Sequence, residues 1–279
     1  MLYFQLAMGL TLITAFLLHG DDFLLDLYNL WKGVRPRRLA EKDVRYLEGL
    51  PQKRLALRSP CWKDAQTLER MVRGNLQSLR YGNYSVFLGV YPNDLPSWQA
   101  ARRLEKDYPY LSLVLNPSHG PTSKAQLLQE MIRQILESEE HTGLRHEAFL
   151  VQDVEDVMHP LSPALLNHAL EEADLVQLPV LSQPLSWSQW AAGTYADEWA
   201  ESHLRDLLTR NALGAKLPTS GAGLALSRTL LLSLLAKGQL FTGAEAAEQY
   251  ARRHASAEAQ AKTQAETQAE TQVETQAET

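Results

Sequence analysis

A single cysteine, Cys61, stands in a chain of 279 residues, so neither an internal disulfide nor a cysteine-rich zinc site can form. A large excess of charge of either sign is missing as well. The 27 lysines and arginines against 33 aspartates and glutamates leave a net charge of −6, which gives no electrostatic footprint for nucleic acid, and none is expected as a partner. Several catalytic signatures are missing. There is no Gly-x-Ser-x-Gly elbow and no predicted histidine partner for Cys61, so nucleophilic catalysis has no support. Gly120-Pro121-Thr122-Ser123-Lys124 lacks the spacing of a Walker loop, and Gly221-Ala222-Gly223 lacks the third glycine of a dinucleotide fingerprint. Asp197, Glu198, Glu201 and His203 lack the Glu-x-x-His spacing of a metal helix and read as a solvated face. The remaining histidines read as surface or capping residues.

What is present starts with the two ends, which differ from the middle. Met1–Leu18 carries no charged residue, and a spanning helix needs roughly 17–25 apolar residues. Residues 1–19 are therefore expected to form one amino-terminal transmembrane helix; a buried first helix of a soluble protein is the alternative. Residues 20–45 follow as an interfacial helix and a basic juxtamembrane linker, with Lys32, Arg35, Arg37, Arg38, Lys42 and Arg45 placing the downstream side in the cytoplasm by the positive-inside rule. At the other end the chain repeats Thr-Gln-Ala-Glu from Thr263 to Thr279, and residues 254–279 read as a low-complexity disordered tail.

Between them, with hydrophobic content of 45% and charged content of 22%, residues 46–253 can bury one core. Apolar runs at 55–57, 84–90, 111–115, 148–152 and 175–181 alternate with helical stretches at 66–79, 98–107, 123–137 and 163–172. A Trp- and acid-rich helix at 187–208, a short strand near 224–226 and a helix at 228–237 complete the domain. Alternation with nearly continuous apolar strands predicts an α/β fold, Rossmann-like, with a mostly parallel sheet and helices on both faces.

In such a sheet ligands sit at the carboxyl ends of the strands. Asp64, Asp94, Lys124 and Asp153 all fall just after a strand. Asp153, Glu155 and Asp156 crowd three carboxylates into four residues, which suits a hard divalent ion such as Mg²⁺ held together with substrate phosphates. A solvated acidic turn is the competing reading. Lys124 at a helix start, with the backbone N–H groups around it, suits a diphosphate; Ser123 would in any case cap that helix. Gly221 reads as a close-approach loop beside a sugar.

These segments, taken in order, resemble a family. Gly20-Asp21-Asp22-Phe23, Pro60-Cys61-Trp62-Lys63-Asp64, Gly89-Val90-Tyr91-Pro92-Asn93-Asp94, Gly120-Pro121-Thr122-Ser123-Lys124-Ala125 and Asp153-Val154-Glu155-Asp156-Val157 are followed by Gln177-Leu178-Pro179-Val180, Thr194-Tyr195-Ala196-Asp197-Glu198 and Pro218-Thr219-Ser220-Gly221-Ala222-Gly223. Together they are similar to the NfrB type of bacterial inner-membrane family 2 glycosyltransferase, associated with phage adsorption and surface-polymer systems, over about residues 10–238.

The resemblance implies a GT-A fold, Mg²⁺ or Mn²⁺ as cofactor and a nucleotide-diphosphate sugar, with uridine the expected nucleoside, as donor. It implies a glycan or lipid-linked acceptor, an envelope or outer-membrane partner protein, and an inner-membrane location with the catalytic domain in the cytoplasm. It puts Asp64 and Asp94 against the nucleoside, Lys124 near the diphosphate, and Asp153 with Glu155 at the metal. Relatives have Thr-Glu-Asp, with the aspartate as base, where this chain has Ala247-Glu248-Gln249. Glu248, or Glu245 if the loop shifts, is then the substitute base, and a nucleotide-sugar-binding scaffold that has lost catalysis is the alternative. The repeat tail begins where relatives continue into further elements.

Overall fold

The computed structural model describes residues 2–183, 186 and 188–238. Glu248, Gln249 and the repeat tail lie outside the described residues. The chain divides into two compact units, one of residues 1–50 with 177–224, the other of residues 51–176 with the chain from 225 onward.

In the first unit, α1 runs unbroken from Leu2 to Lys32. The spanning segment expected to end at residue 19 and the separate interfacial helix expected after it are joined in one helix. Nothing between Leu18 and Phe23 stops a helix, since a lone glycine such as Gly20 costs only about 1 kcal/mol. The helix ends instead at Gly33, whose φ of +63° is the left-handed geometry of a helix stop. Among the described residues no helix is long and apolar enough to cross a membrane. Leu25 is buried, and Asn29 on the same face donates to Thr209 Oγ1 at 2.8 Å. Phe23, Leu24, Leu27, Leu30 and Trp31 are more than half exposed. The basic linker contains a further short helix, α2 (Glu41–Gly49), whose start is held by Asp43 accepting from the Ala40 N–H at 2.9 Å.

The second unit holds the sheet. Its strands are β1 (Leu55–Pro60), β2 (Tyr84–Val90), β3 (Leu111–Leu115) and β4 (Ala148–Val151), followed by β5 (Leu175–Gln177) and β6 (Leu224–Ser227), in the order β3-β2-β1-β4-β6-β5. β1 to β4 pair in parallel, and the register Leu55↔Tyr84 and Leu55↔Ala148 starts the central strands level with one another. The bonds Arg228 N–H to Glu147 O and Ser227 N–H to Asp174 O set the end of β6 beside the beginning of β4 and β5. That strand therefore runs against its neighbours.

The helices α3 (Ala65–Ser78), α4 (Leu95–Asp107), α5 (Lys124–Thr142) and α6 (Ser162–Ala169) connect the strands. Each starts close to its predicted position because the start is written locally. Ser123 and Gln126 form a reciprocal capping box for α5, and Asp94 with Pro96 opens α4. The helices α7 (Trp190–Glu201) and α8 (Leu207–Ala212), joined by a π-helical turn at Ser202–Asp206, belong to the first unit; α9 (Arg228–Ala236) returns to the second.

One face of the sheet gives Ala56, Phe87, Val114 and Phe149 to a core completed by Met131 and Ile135 of α5 and Leu231 and Leu235 of α9. Burial of such side chains contributes about 1.5–3 kcal/mol each. Arg58, in the middle of β1, is 1% exposed. Burial pulls its pKa down to about 10, its Nε lacks a hydrogen-bond partner among the described residues, and a hydrogen bond to Phe149 O is stretched to 3.5 Å.

Two histidines expected at the surface are buried. His146 donates its backbone N–H to Glu139 Oε1 at 2.8 Å, and its Nδ1 lies 2.7 Å from the same oxygen. His203 lies in the π-helical turn, with Trp199 at 5.0 Å between ring centroids.

Candidate active site

The strand order reverses between β1 and β4: the chain adds β2 and β3 on one side of β1 and the later strands on the other. This switch point is where an open parallel sheet leaves a crevice beyond its carboxyl ends. A cavity of about 300 Å³ opens there, lined by residues following β1, β2, β3 and β4.

One wall is aromatic. Trp62 and Tyr91 meet edge to face at 5.1 Å and 84°, and the Tyr91 hydroxyl lies 2.8 Å from Thr122 Oγ1. Cys61 is buried beside them, and burial pushes its thiol up to about 11. It stays protonated at neutral pH. The lining is also charged: Lys124 Nζ donates to Asp153 Oδ1, and Glu155 lines the same cavity. Asp64 also lines it, at the start of α3, and makes no side-chain cap hydrogen bond.

Of the residues expected at the site, the structure brings together Asp64, Lys124, Asp153 and Glu155. Asp156 is a correction. Its carboxylate turns back to accept from Gln152 Nε2 at 2.9 Å and from the Asp153 N–H at 3.3 Å. Burial first, and then the neighbouring Asp153 charge, raise its pKa. It closes the turn after β4 rather than joining a three-carboxylate cluster, and among the described residues no group of three or more His, Cys, Asp or Glu could hold a metal ion.

Asp94 is a second correction. It is 4% exposed and does not line the cavity. Its Oδ2 accepts from the Lys63 N–H at 2.6 Å, and its Oδ1 from the Ser97 N–H at 3.4 Å. Lys63 has φ +55°, a left-handed conformation that a side chain adopts reluctantly. Asp94 thus holds the turn that presents Trp62 and Asp64.

Gly221 lies in the first unit, in a loop held by Gln177, whose Nε2 donates to Ala222 O at 2.8 Å and whose Oε1 accepts from the Ser220 N–H at 3.2 Å. The close approach expected of that loop belongs to Gly223, where a Cβ would come within 3.2 Å of Leu178 O. Trp62, Tyr91 and Thr122 also line the cavity, although none was expected there from the sequence. Their signal was an aromatic beside each of two strand ends, inside motifs already singled out for their acids.

Residues 51–273 match the family described as Glycosyltransferase like family 2. The chain belongs to this family. Bacteriophage adsorption protein B of Escherichia coli (strain K12) and Bacteriophage N4 adsorption protein B of Escherichia coli O157:H7 are each 30% identical to it over 243 residues, 85% of this chain and 33% of each relative. The chain therefore spans about a third of the length of the curated relatives it matches. A mannosyltransferase of Pyrobaculum calidifontis, solved with GDP-Man and Mn²⁺, is 16% identical with a TM-score of 0.46, covering 79% of this chain and 57% of that one. The cavity at the switch point of the parallel sheet is the candidate active site of this family 2 glycosyltransferase-like domain.

Proposed function

We propose that the chain is a membrane-attached, inverting glycosyltransferase domain that takes its sugar from a uridine-diphosphate donor and passes it to a hydroxyl of a glycan or lipid-linked acceptor. One observation carries this reading: Lys124, Asp153 and Glu155 share a single cavity with the Trp62–Tyr91 pair. An aromatic wall suits a base, and a cation beside two carboxylates suits a diphosphate and its metal. Asp153 and Glu155 are hard oxygen donors, which fits a divalent ion that draws its other ligands from phosphates and water. Mg²⁺ or Mn²⁺, when bound, neutralises the departing diphosphate.

Lys124 then holds the diphosphate as a point charge, and Asp64 meets the nucleoside. Calorimetric titration of the chain with UDP and Mn²⁺ is expected to give binding that EDTA abolishes. Asp153→Asn is expected to weaken binding roughly tenfold or more, since it removes a charged contact, while Asp197→Asn on α7 leaves it unchanged. Equal affinity in EDTA, or a larger loss at Asp197, would overturn the assignment.

Membrane attachment, at the bacterial inner membrane with the catalytic unit in the cytoplasm, rests on α1. Its uncharged start, the exposed apolar side chains from Phe23 to Trp31 and the basic residues that follow suit a bilayer and its anionic surface. The full chain is expected to float with vesicles containing anionic lipid, and recovery entirely in the unbound fraction would remove this part of the proposal. The names of the relatives support a role in a cell-envelope or surface-receptor assembly that phage exploit. A second reading, a nucleotide-sugar-binding scaffold, is favoured by Gln249 at the position of the family's base. Donor turnover with and without Mn²⁺ separates the two, because a scaffold binds without releasing UDP.

A further inference from the structure

The loop from Asn116 to Ser123 brings Pro121, Thr122 and Lys124 to the cavity, yet it belongs to no strand or helix. It is tethered at its start, where the Asn116 N–H donates to Val90 O at 2.9 Å, and at its end by the capping box of α5. Between those points a single side chain holds it twice. Asn93 Oδ1 accepts from the Gly120 N–H at 2.7 Å, and Asn93 Nδ2 donates to Gly120 O at 2.7 Å. A carboxamide facing a peptide unit in this way satisfies both of its polar groups, as a neighbouring strand would. Gly120 is drawn so close that a Cβ there would lie 2.6 Å from Trp62 Cζ3 and 2.7 Å from the Tyr91 ring. Glycine is required there by the closeness of the two rings rather than by the backbone conformation.

Asn93 and Asp94 are adjacent, and they hold two different segments that line the cavity. Asp94 fixes the turn carrying Trp62 and Asp64. Asn93 fixes the loop carrying Thr122 and Lys124. We infer that Asn93 is a positioning residue for the nucleotide: by latching Gly120 against the Trp62–Tyr91 pair it sets the spacing between the aromatic wall and Lys124. This rests on the donor-site reading above. Asn93 is exposed and outside the apolar core, so its side chain has little to contribute to global stability, and its two hydrogen bonds act on the loop. An Asp at this position still accepts from the Gly120 N–H but offers Gly120 O no donor.

The test measures UDP affinity in Mn²⁺ and thermal unfolding on the full chain, for wild type, Asn93→Ala, Asn93→Asp and Lys124→Ala. Loss of two hydrogen bonds predicts a rise in Kd of roughly ten- to thirtyfold for Asn93→Ala. A smaller rise is expected for Asn93→Asp, with the melting temperature of both near wild type. In turnover, the donor KM should rise while kcat changes little.

If Asn93→Ala binds UDP as wild type does while Lys124→Ala is weakened, the donor site stands and the latch does not. If affinity and melting temperature fall together in both Asn93 variants, the residue is a stability element and the inference is overturned. Absence of UDP binding in the wild type itself removes the donor-site reading, and the latch with it.

Discussion

Replacing Glu139 by alanine is expected to lower the unfolding free energy by about 3–5 kcal/mol, the loss typical when one member of a buried ion pair is removed. Glu139 Oε1 accepts from the backbone N–H of His146, with His146 Nδ1 at 2.7 Å, and its Oε2 accepts from Arg228 Nη1 at 2.7 Å. Arg228 also donates to His146 O at 3.0 Å. The cluster ties the end of α5 to the entrance of β4 and the start of α9, at the edge of the sheet opposite the cavity. Alanine leaves the Arg228 guanidinium and the His146 N–H without their shared acceptor in a buried setting, which is worse than never having buried them.

The pH dependence follows with a definite sign. Burial pushes the Glu139 carboxyl up, but hydrogen bonds from His146 and Arg228 outweigh it, and the pKa lies below the ordinary carboxylate range. A depressed acid contributes stability that is complete above its unfolded pKa and is lost as pH falls through the folded one. Wild type should therefore lose stability faster than Glu139→Ala on acidification below about pH 4.3, the ordinary glutamate value. Urea unfolding at pH 7 and at pH 3 measures both quantities. Equal stability of the two proteins at pH 7 would show that the cluster is not structural.

Gln249→Asp is expected to raise sugar transfer by roughly 10²–10⁴-fold, the usual contribution of a positioned general base. An amide accepts no proton, so a hydroxyl attacking the anomeric carbon has no base at the position where the family pattern has aspartate. Glu248, the neighbour, is the rival. A base misplaced by about an ångström can cost around a hundredfold, so the wild-type chain should be slow even if Glu248 serves. The measurement is UDP release from a panel of UDP-sugars with Mn²⁺, for wild type, Gln249→Asp and Glu248→Gln. Residual activity abolished by Glu248→Gln would assign the base to Glu248. No gain in Gln249→Asp, with UDP binding intact, would favour the scaffold reading.

The sequence by itself determined the alternation of strands and helices in the second unit. β2 and β3 fall on their expected residues, 84–90 and 111–115, because their apolar runs are bounded by turn residues. The helix starts were equally local, as with Ser123–Gln126 and Asp94. The placing of Asp64, Lys124, Asp153 and Glu155 around one cavity was legible too, because a parallel sheet sends every strand's carboxyl end to the same edge.

Only the tertiary structure decided which carboxylates face that cavity. Asp94 and Asp156 stand beside Asn93 and Glu155 in the chain, yet their oxygens are taken by backbone N–H groups and by Gln152, and competition for donors cannot be read from spacing. The same holds for His146, which reads as a surface residue until strand pairing brings it to the buried Glu139 and to Arg228. The division into units was hidden for a related reason. Leu25 and Asn29 show a helical face, but that it meets Thr209, 180 residues away from Asn29, is a long-range contact that no local period encodes.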